Sequence, residues 1–356
     1  MKLSPSEYNS IESEELKAAS LLQIQAYAPQ AFEQDNFQTR ISNEKEFWKY
    51  ADSMHSHRFD TNIEAGLNSY LSQEEFDYFQ LAVQRSLNFT KIKSGKPQIG
   101  RNTISRTFIC TRVISKLLSK GLLSKNINIL ELGPGIGAQS AALVHHFQNS
   151  LKGFEGCKFN IITMDPTQAF YLYQNHYFTE YFKENFIETA GRSIDELNQI
   201  FKDISFDHEK IIHVPWWHVA NNQLKLPKID LIIANHMVSE MSAASFRHTF
   251  SIVRTGNKTE FDCPAPLVLL DCWGGVFDRV GEAMCDFLKI GFFPVHNMPL
   301  YKKAYGLDTD YAFGALVETN ESPEENFYKF ELYCNKWVMD AVSNTAELIK
   351  TLKTST

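Results

Sequence analysis

The sequence predicts an α/β fold in which a mostly parallel sheet of seven strands is covered by helices on both faces and follows a helical N-terminal region. Three observations carry that expectation. From Ile127 onward short apolar runs alternate with helical segments, as strands do when both faces of a parallel sheet are buried. Before that point the chain shows helix caps and helical spacing instead. Between the first apolar run and the next helix lies a turn rich in glycine, which lets bare backbone approach a ligand at the sheet edge.

The N-terminal region, residues 1–104, holds two helix starts. Asn43 with Glu46 precedes Phe47, Trp48 and Tyr50, and Ser72 with Glu75 forms a capping box ahead of Phe76, Phe79, Val83 and Leu87. Residues 91–100 are polar and broken by Gly95, Pro97 and Gly100, so they read as a connection. Ile104, Phe108, Val113, Leu117 and Leu118 then mark a helix that stops near Gly121. The main domain, residues 105–320, supplies apolar runs at 127–132, 159–164, 211–214, 231–234 and 267–270, with 292–296 and 311–317 as a closing hairpin. The segment 321–356 is expected to be helical, with a terminal amphipathic helix around Ala341 to Leu352.

Composition narrows the function classes. Apolar residues make up 44% of the chain and charged residues 22%, which is ordinary for a globular protein and unlike a disordered chain or a membrane bundle. A formal net charge of -7 gives no general attraction for phosphates or anionic lipid, so a small-molecule partner is expected rather than nucleic acid or a membrane. Residues 1–15 lack the apolar stretch of a signal peptide, and the six cysteines contain no C-x-x-C pair. Both features predict reduced thiols in the cytoplasm. His55, His57 and Asp60 come nearest to a metal motif, but two histidines on a polar segment are expected to be solvated, and no metal is predicted.

The most informative stretch is Glu131-Leu132-Gly133-Pro134-Gly135-Ile136-Gly137-Ala138. Gly135 is expected to stand where the turn has room only for backbone. Gly133, Gly135 and Ala138 satisfy a relaxed dinucleotide pattern, in which a pyrophosphate sits on the helix N-terminus. Gly133, Gly135 and Gly137 also form G-x-G-x-G with Glu131 two positions earlier. A carboxylate there repels a pyrophosphate and suits a cofactor that carries an ammonium and a sulfonium, which favours S-adenosyl-L-methionine. Asp165, at the end of the second run, is placed to accept hydrogen bonds from ribose hydroxyls in either cofactor class.

On the motif from Glu131 to Gly137 the chain resembles the class I S-adenosylmethionine-dependent methyltransferases, Rossmann-like enzymes, over roughly residues 105–320. The resemblance implies that Pro134 belongs to the cofactor loop and that the segment after the third strand flanks the adenine, where Trp216 and Trp217 offer stacking surfaces. It also implies that the end of the fourth strand lies beside the methyl group, which singles out Asn235, His236 and Glu240. Asp230-Leu231 followed by Glu240-Met241, and the stretch from Asn102 to Arg106, look like bacterial sugar O-methyltransferases, so a sugar or sugar-nucleotide hydroxyl is the implied acceptor. For a hydroxyl the acceptor proton must leave as the bond to methyl forms. His236 is the expected base with Glu240 orienting it, and His218 is a second candidate. Asp271 and Trp273, after the fifth strand, are candidates to line the acceptor pocket. The competing readings are an NAD(P)-dependent oxidoreductase and a catalytically silent methyltransferase-like binding subunit.

Overall fold

The computed structural model describes residues 2–19, 40–54, 101–121, 123–221, 223–235, 243–256, 267–273, 292–300 and 311–318, with isolated positions between 73 and 89. Among these residues the helices are α1 (Pro5–Ala18), α2 (Glu44–Met54), α3 (Arg101–Ser119), α4 (Ala138–Gln148), α5 (Gln168–Tyr181), α6 (Ile194–Lys202), α7 (Trp216–Ala220) and α8 (Ala243–Gly256). The strands are β1 (Asn126–Leu132), β2 (Lys158–Asp165), β3 (Phe186–Glu188), β4 (Lys210–Pro215), β5 (Leu231–Asn235), β6 (Leu267–Trp273), β7 (Phe292–Leu300) and β8 (Tyr311–Glu318).

All eight strands form one sheet in the order β3-β4-β2-β1-β5-β6-β8-β7. The first six run parallel, and β8 is antiparallel to both β6 and β7. The mostly parallel α/β architecture is therefore as expected, but among the described residues the sheet has eight strands rather than seven. The added strand, β3, is three half-buried residues long, too short to show either an apolar run or an alternation. In β1 and β2 every residue but the first is buried, which is why these strands read as near-continuous apolar runs.

From β1 the chain moves outward through β2 to β3 at the border and returns to insert β4 between β3 and β2, whereas β5 and β6 lie on the other side of β1. The chain reverses direction across the sheet between β1 and β5. Such a switch point opens a crevice beyond the carboxyl ends of the strands. The glycine turn after β1 and Asn235 at the end of β5 both stand at that edge.

The N-terminal helices share one hydrophobic core with the sheet, since Leu3, Tyr8, Ile41, Phe47 and Phe89 pack into the cluster that holds the strands. Ser4 and Glu7 form a capping box with Pro5 in the first turn, so α1 begins where local chemistry dictates. Tyr8 then packs its ring between Tyr171 of α5 and Trp217 of α7, at 5.3 and 5.2 Å. The helix expected near Gly121 ends there: Gly121 has φ 69° and its N–H donates to the Leu118 carbonyl at 3.0 Å. Of the helix expected around 72–87, Gln73, Asp77, Leu81 and Arg85 are helical. Its apolar residues Phe76, Phe79, Val83 and Leu87, and the segment 321–356, lie outside the described residues.

Two buried asparagines pin the amino ends of the central strands. Asn128 and Asn160 are partners in register on β1 and β2. Asn160 Nδ2 donates to Asn128 Oδ1 and to the Ser205 carbonyl, at 3.1 and 3.2 Å, while its Oδ1 accepts from the Lys210 N–H that opens β4. Asn128 Nδ2 donates to the Lys228 carbonyl just before β5, at 2.9 Å. Truncation at Asn160 leaves several buried groups without partners, and Asn160→Ala is expected to destabilise the protein by roughly 2–4 kcal/mol. Urea unfolding followed by circular dichroism measures this; a loss under about 0.5 kcal/mol would show that the amide does not hold the strands.

Candidate active site

The glycine loop is built by the end of β1 and the start of α4. Gly133 extends the pairing with β2 by donating its N–H to the Met164 carbonyl at 2.8 Å. Gly133, Gly135 and Gly137 then adopt φ of 61, 57 and 74°, the left-handed region that side chains disfavour. Gly137 donates to the Pro134 carbonyl at 2.9 Å, closing the turn, and serves as N-cap of α4 with no side chain to satisfy the first N–H groups. The Ser140 N–H turns to the Glu131 carboxylate, and the Ala138 and Gln139 amides receive no side-chain cap from Gly137.

The crowding differs from the expectation at Gly135. A Cβ placed there meets no atom within 4 Å, so only its φ restricts the residue and the space beside it is open. At Gly137 a Cβ comes within 2.7 Å of the Phe178 ring. Gly137 is thus required for packing, and Gly135 borders free space.

Two acids stand beneath the loop. Glu131 is buried, and its carboxylate accepts a short hydrogen bond from the Ser140 hydroxyl in the first turn of α4. Burial pushes its pKa up to about 7, the charge of Asp165 adds to the rise, and the Ser140 hydrogen bonds oppose it. Asp165 is also buried, and it accepts from the N–H groups of Gly135 and Thr167, at 3.2 and 2.9 Å, and from Gln174 Nε2 at 3.0 Å. Burial pushes Asp165 up to about 7 as well, against the pull of those donors. Two adjacent strand ends therefore each present a carboxyl group that titrates near neutrality.

The structure brings Glu131, Gly133, Pro134, Gly135, Gly137 and Asp165 together at this edge. Trp216 and Trp217 follow β4 and are held by α1. Trp216 Nε1 donates to Glu12 at 2.7 Å, and Trp217 meets Tyr8 edge-on. Both indoles also line a cavity of about 290 Å³ together with Glu15, Leu16, Ala220 and Asn221. Asn235 ends β5 in register with Asp271 of β6, so both stand at the carboxyl edge. His218 is buried, its Nε2 lies 3.2 Å from the Thr189 carbonyl, and burial lowers its pKa. His236 and Glu240 lie outside the described residues, as do His55, His57 and Asp60. Among the described residues no cluster of three metal-ligating side chains occurs. No described helix is long and apolar enough to cross a membrane.

Sequence reasoning missed four side chains beside the loop: Gln174, His213, Glu188 and Ser140. His213 had a legible signal, a histidine inside the apolar run Ile211-Ile212-His213-Val214. Glu188 and Gln174 had none, because only the register of β3 on β4 and the first turns of α5 bring them near.

No protein-family model and no curated protein matches the sequence. Solved structures to which the chain is similar include a candidate class I S-adenosylmethionine-dependent methyltransferase from Listeria monocytogenes, 13% identical, with 88% of this chain and 87% of that one covered and a TM-score of 0.42. A methyltransferase from Podospora anserina with bound S-adenosylhomocysteine is 12% identical, with 74% of this chain and 98% of that one covered and a TM-score of 0.38. The magnesium protoporphyrin IX methyltransferase of Synechocystis, with bound S-adenosylmethionine, is 10% identical, with 74% and 100% covered and a TM-score of 0.36.

Proposed function

We propose that the chain is an S-adenosylmethionine-dependent methyltransferase that acts on a small polar acceptor, with a sugar or sugar-nucleotide hydroxyl as the favoured class. The observation that carries the reading is the glycine loop at the switch point with two buried carboxyl groups beneath it. Open space beside Gly135 and a helix start with no side-chain cap suit a ligand lying along the loop. The negative charge of Glu131 and Asp165 suits a cationic one. Bound there, adenosylmethionine supplies a methyl group on a sulfonium.

In this reading Glu131 provides charge toward the ammonium, and Gly133, Pro134, Gly135 and Gly137 give close backbone approach. Asp165 takes the ribose hydroxyls, and Trp216 and Trp217, directly after β4, flank the adenine. Asn235, at the end of β5, stands where the methyl group meets the acceptor. His236 removes the acceptor proton and Glu240 orients it. The N-terminal helices close over the site. Calorimetry with adenosylmethionine, adenosylhomocysteine and NAD tests the whole; binding of NAD alone would establish the oxidoreductase instead.

Because Glu131 and Asp165 titrate near 7, cofactor affinity depends on pH with a sign that identifies the ligand's charge. A cation binds the ionised carboxylates better, so adenosylmethionine affinity should rise between about pH 6 and 8 with release of protons. A pyrophosphate cofactor should do the reverse. Titrations in buffers of different ionisation enthalpy read the proton count, and proton uptake would contradict the assignment.

Gly135→Ala separates the loop's binding role from its packing role. The open surroundings predict a folded variant, with a backbone cost of roughly 1–2 kcal/mol for the left-handed conformation. Adenosylmethionine binding should fall at least about tenfold as the methyl occupies the approach, a loss of about 1.4 kcal/mol. Undiminished affinity in the folded variant would move the cofactor off this loop.

For the base, His236→Ala should keep cofactor affinity and lose roughly 10²- to 10⁴-fold in turnover, the range of general acid-base catalysis. Wild-type turnover should rise through one ionisation near neutrality, and that limb should vanish in the variant. A variant with normal turnover, or one changed only in KM for the acceptor, would remove His236 from the chemistry.

A further inference from the structure

A buried chain of hydrogen bonds runs from the glycine loop to β3, and the chemistry proposed above uses only its first member. Gln174 Nε2 donates to the Gly135 carbonyl at 2.5 Å and to Asp165 Oδ2 at 3.0 Å. The same carboxylate oxygen accepts from the Gly135 N–H. One amide group therefore bridges the loop and the acid beneath it. With both of its hydrogens engaged, Gln174 must turn Oε1 the other way, where His213 Nε2 stands 3.0 Å off and donates to it.

The opposite nitrogen of the ring, Nδ1, lies 2.9 Å from Glu188 Oε2. Glu188 also receives Asn175 Nδ2 at 2.7 Å, the N–H groups of Thr189 and Ala190 at 2.9 Å each, and the Tyr171 hydroxyl in a short bond. Asn175 is oriented by its own Oδ1, which accepts from the Leu3 N–H at 2.7 Å. Surrounded by donors, the Glu188 carboxyl has no place for a proton of its own. Each ring nitrogen of His213 thus faces a polar partner, and the ring is wholly buried and stacked on Tyr171 at 3.7 Å and 15°. Burial alone would raise Glu188, but the charge and hydrogen bonds of His213 and the other donors bring it below the ordinary carboxylate value.

A buried polar pair adds little net stability, because desolvation offsets most of the attraction, so apolar side chains of the same volume would serve packing as well. What this pair adds is orientation. A flipped Gln174 would turn its carbonyl oxygen onto the Gly135 carbonyl and the Asp165 carboxyl, so its amide hydrogens face those two groups while Oε1 faces His213. We propose that Gln174, held in place by His213 and Glu188, is the positioning residue that holds the glycine loop and Asp165 in the form that takes the cofactor. The inference rests on the reading of this loop as the adenosylmethionine site.

Calorimetry with S-adenosylhomocysteine, paired with thermal unfolding, tests it in the full chain. Gln174→Met keeps length and volume without the amide, and should unfold cooperatively yet bind about tenfold to hundredfold more weakly, as loss of hydrogen bonds to a charged group predicts. Equal affinity in a folded Gln174→Met overturns the inference alone. A wild-type protein that fails to bind adenosylhomocysteine overturns the methyltransferase reading and this inference with it. A measurement on the wild type stands even if the variant does not fold. With ¹⁵N-labelled histidine, both ring nitrogen resonances of His213 should shift when adenosylhomocysteine is added, although the ring is buried. Resonances indifferent to the ligand overturn the inference, since a histidine that only fills space would not report on the loop.

Discussion

The region around the glycine loop depends on keeping one carboxylate ionised inside the protein. Glu188, His213, Thr163 and Glu131 are register partners across β3, β4, β2 and β1, a polar row crossing strands that are mostly apolar. Burying such groups is costly without hydrogen bonds; the Thr163 hydroxyl has none among the described residues, whereas Glu188, His213 and Glu131 have partners. Helix α5 supplies most of them from one face, because Tyr171, Gln174 and Asn175 are three and four residues apart and project to the same side. The position of α5 is thereby fixed by polar contacts as well as by the aromatic packing of Phe178 and Tyr171.

The three acids near the loop differ in what answers their charge. Glu188 has His213 and a full set of donors, and its pKa falls. Asp165 has three donors, Glu131 has Ser140, and burial raises both to about 7. Among the described residues no cation stands against either acid. A cation arriving at the loop would draw both groups into their ionised forms, and the same two residues that make the empty site reluctant to hold charge would then bind through it.

The parallel strands were legible because burial on both faces writes itself as uninterrupted apolar runs, and the glycine loop because its φ values demand the residue. Glu131 and Asp165 were legible from their places at strand ends. The open space at Gly135 and the crowding at Gly137 were not, since they depend on where Phe178 lies across from α4. Trp216 and Trp217 read as candidate stacking surfaces, and their engagement by Glu12 and Tyr8 of α1 needs contacts about 200 positions away in sequence, which no local pattern encodes. Gln174 was hidden for the same reason. An amide in a helix carries no mark of purpose until the strand beneath it is known.

The two borders of the sheet bear on how the molecule behaves among copies of itself. A border strand displays unpaired N–H and C=O groups on which a second chain can build, and long flat borders seed aggregation. On one side β3 ends the sheet after three residues, too few to template another strand. On the other, β7 is nine residues long but contains Pro294 and Pro299, which have no N–H to offer, and its pairing with β8 slips between Pro294 and His296. Brevity at one border and proline with an irregular register at the other give a wide sheet little capacity to recruit a neighbour, so the parallel core can be large without making the protein adhesive.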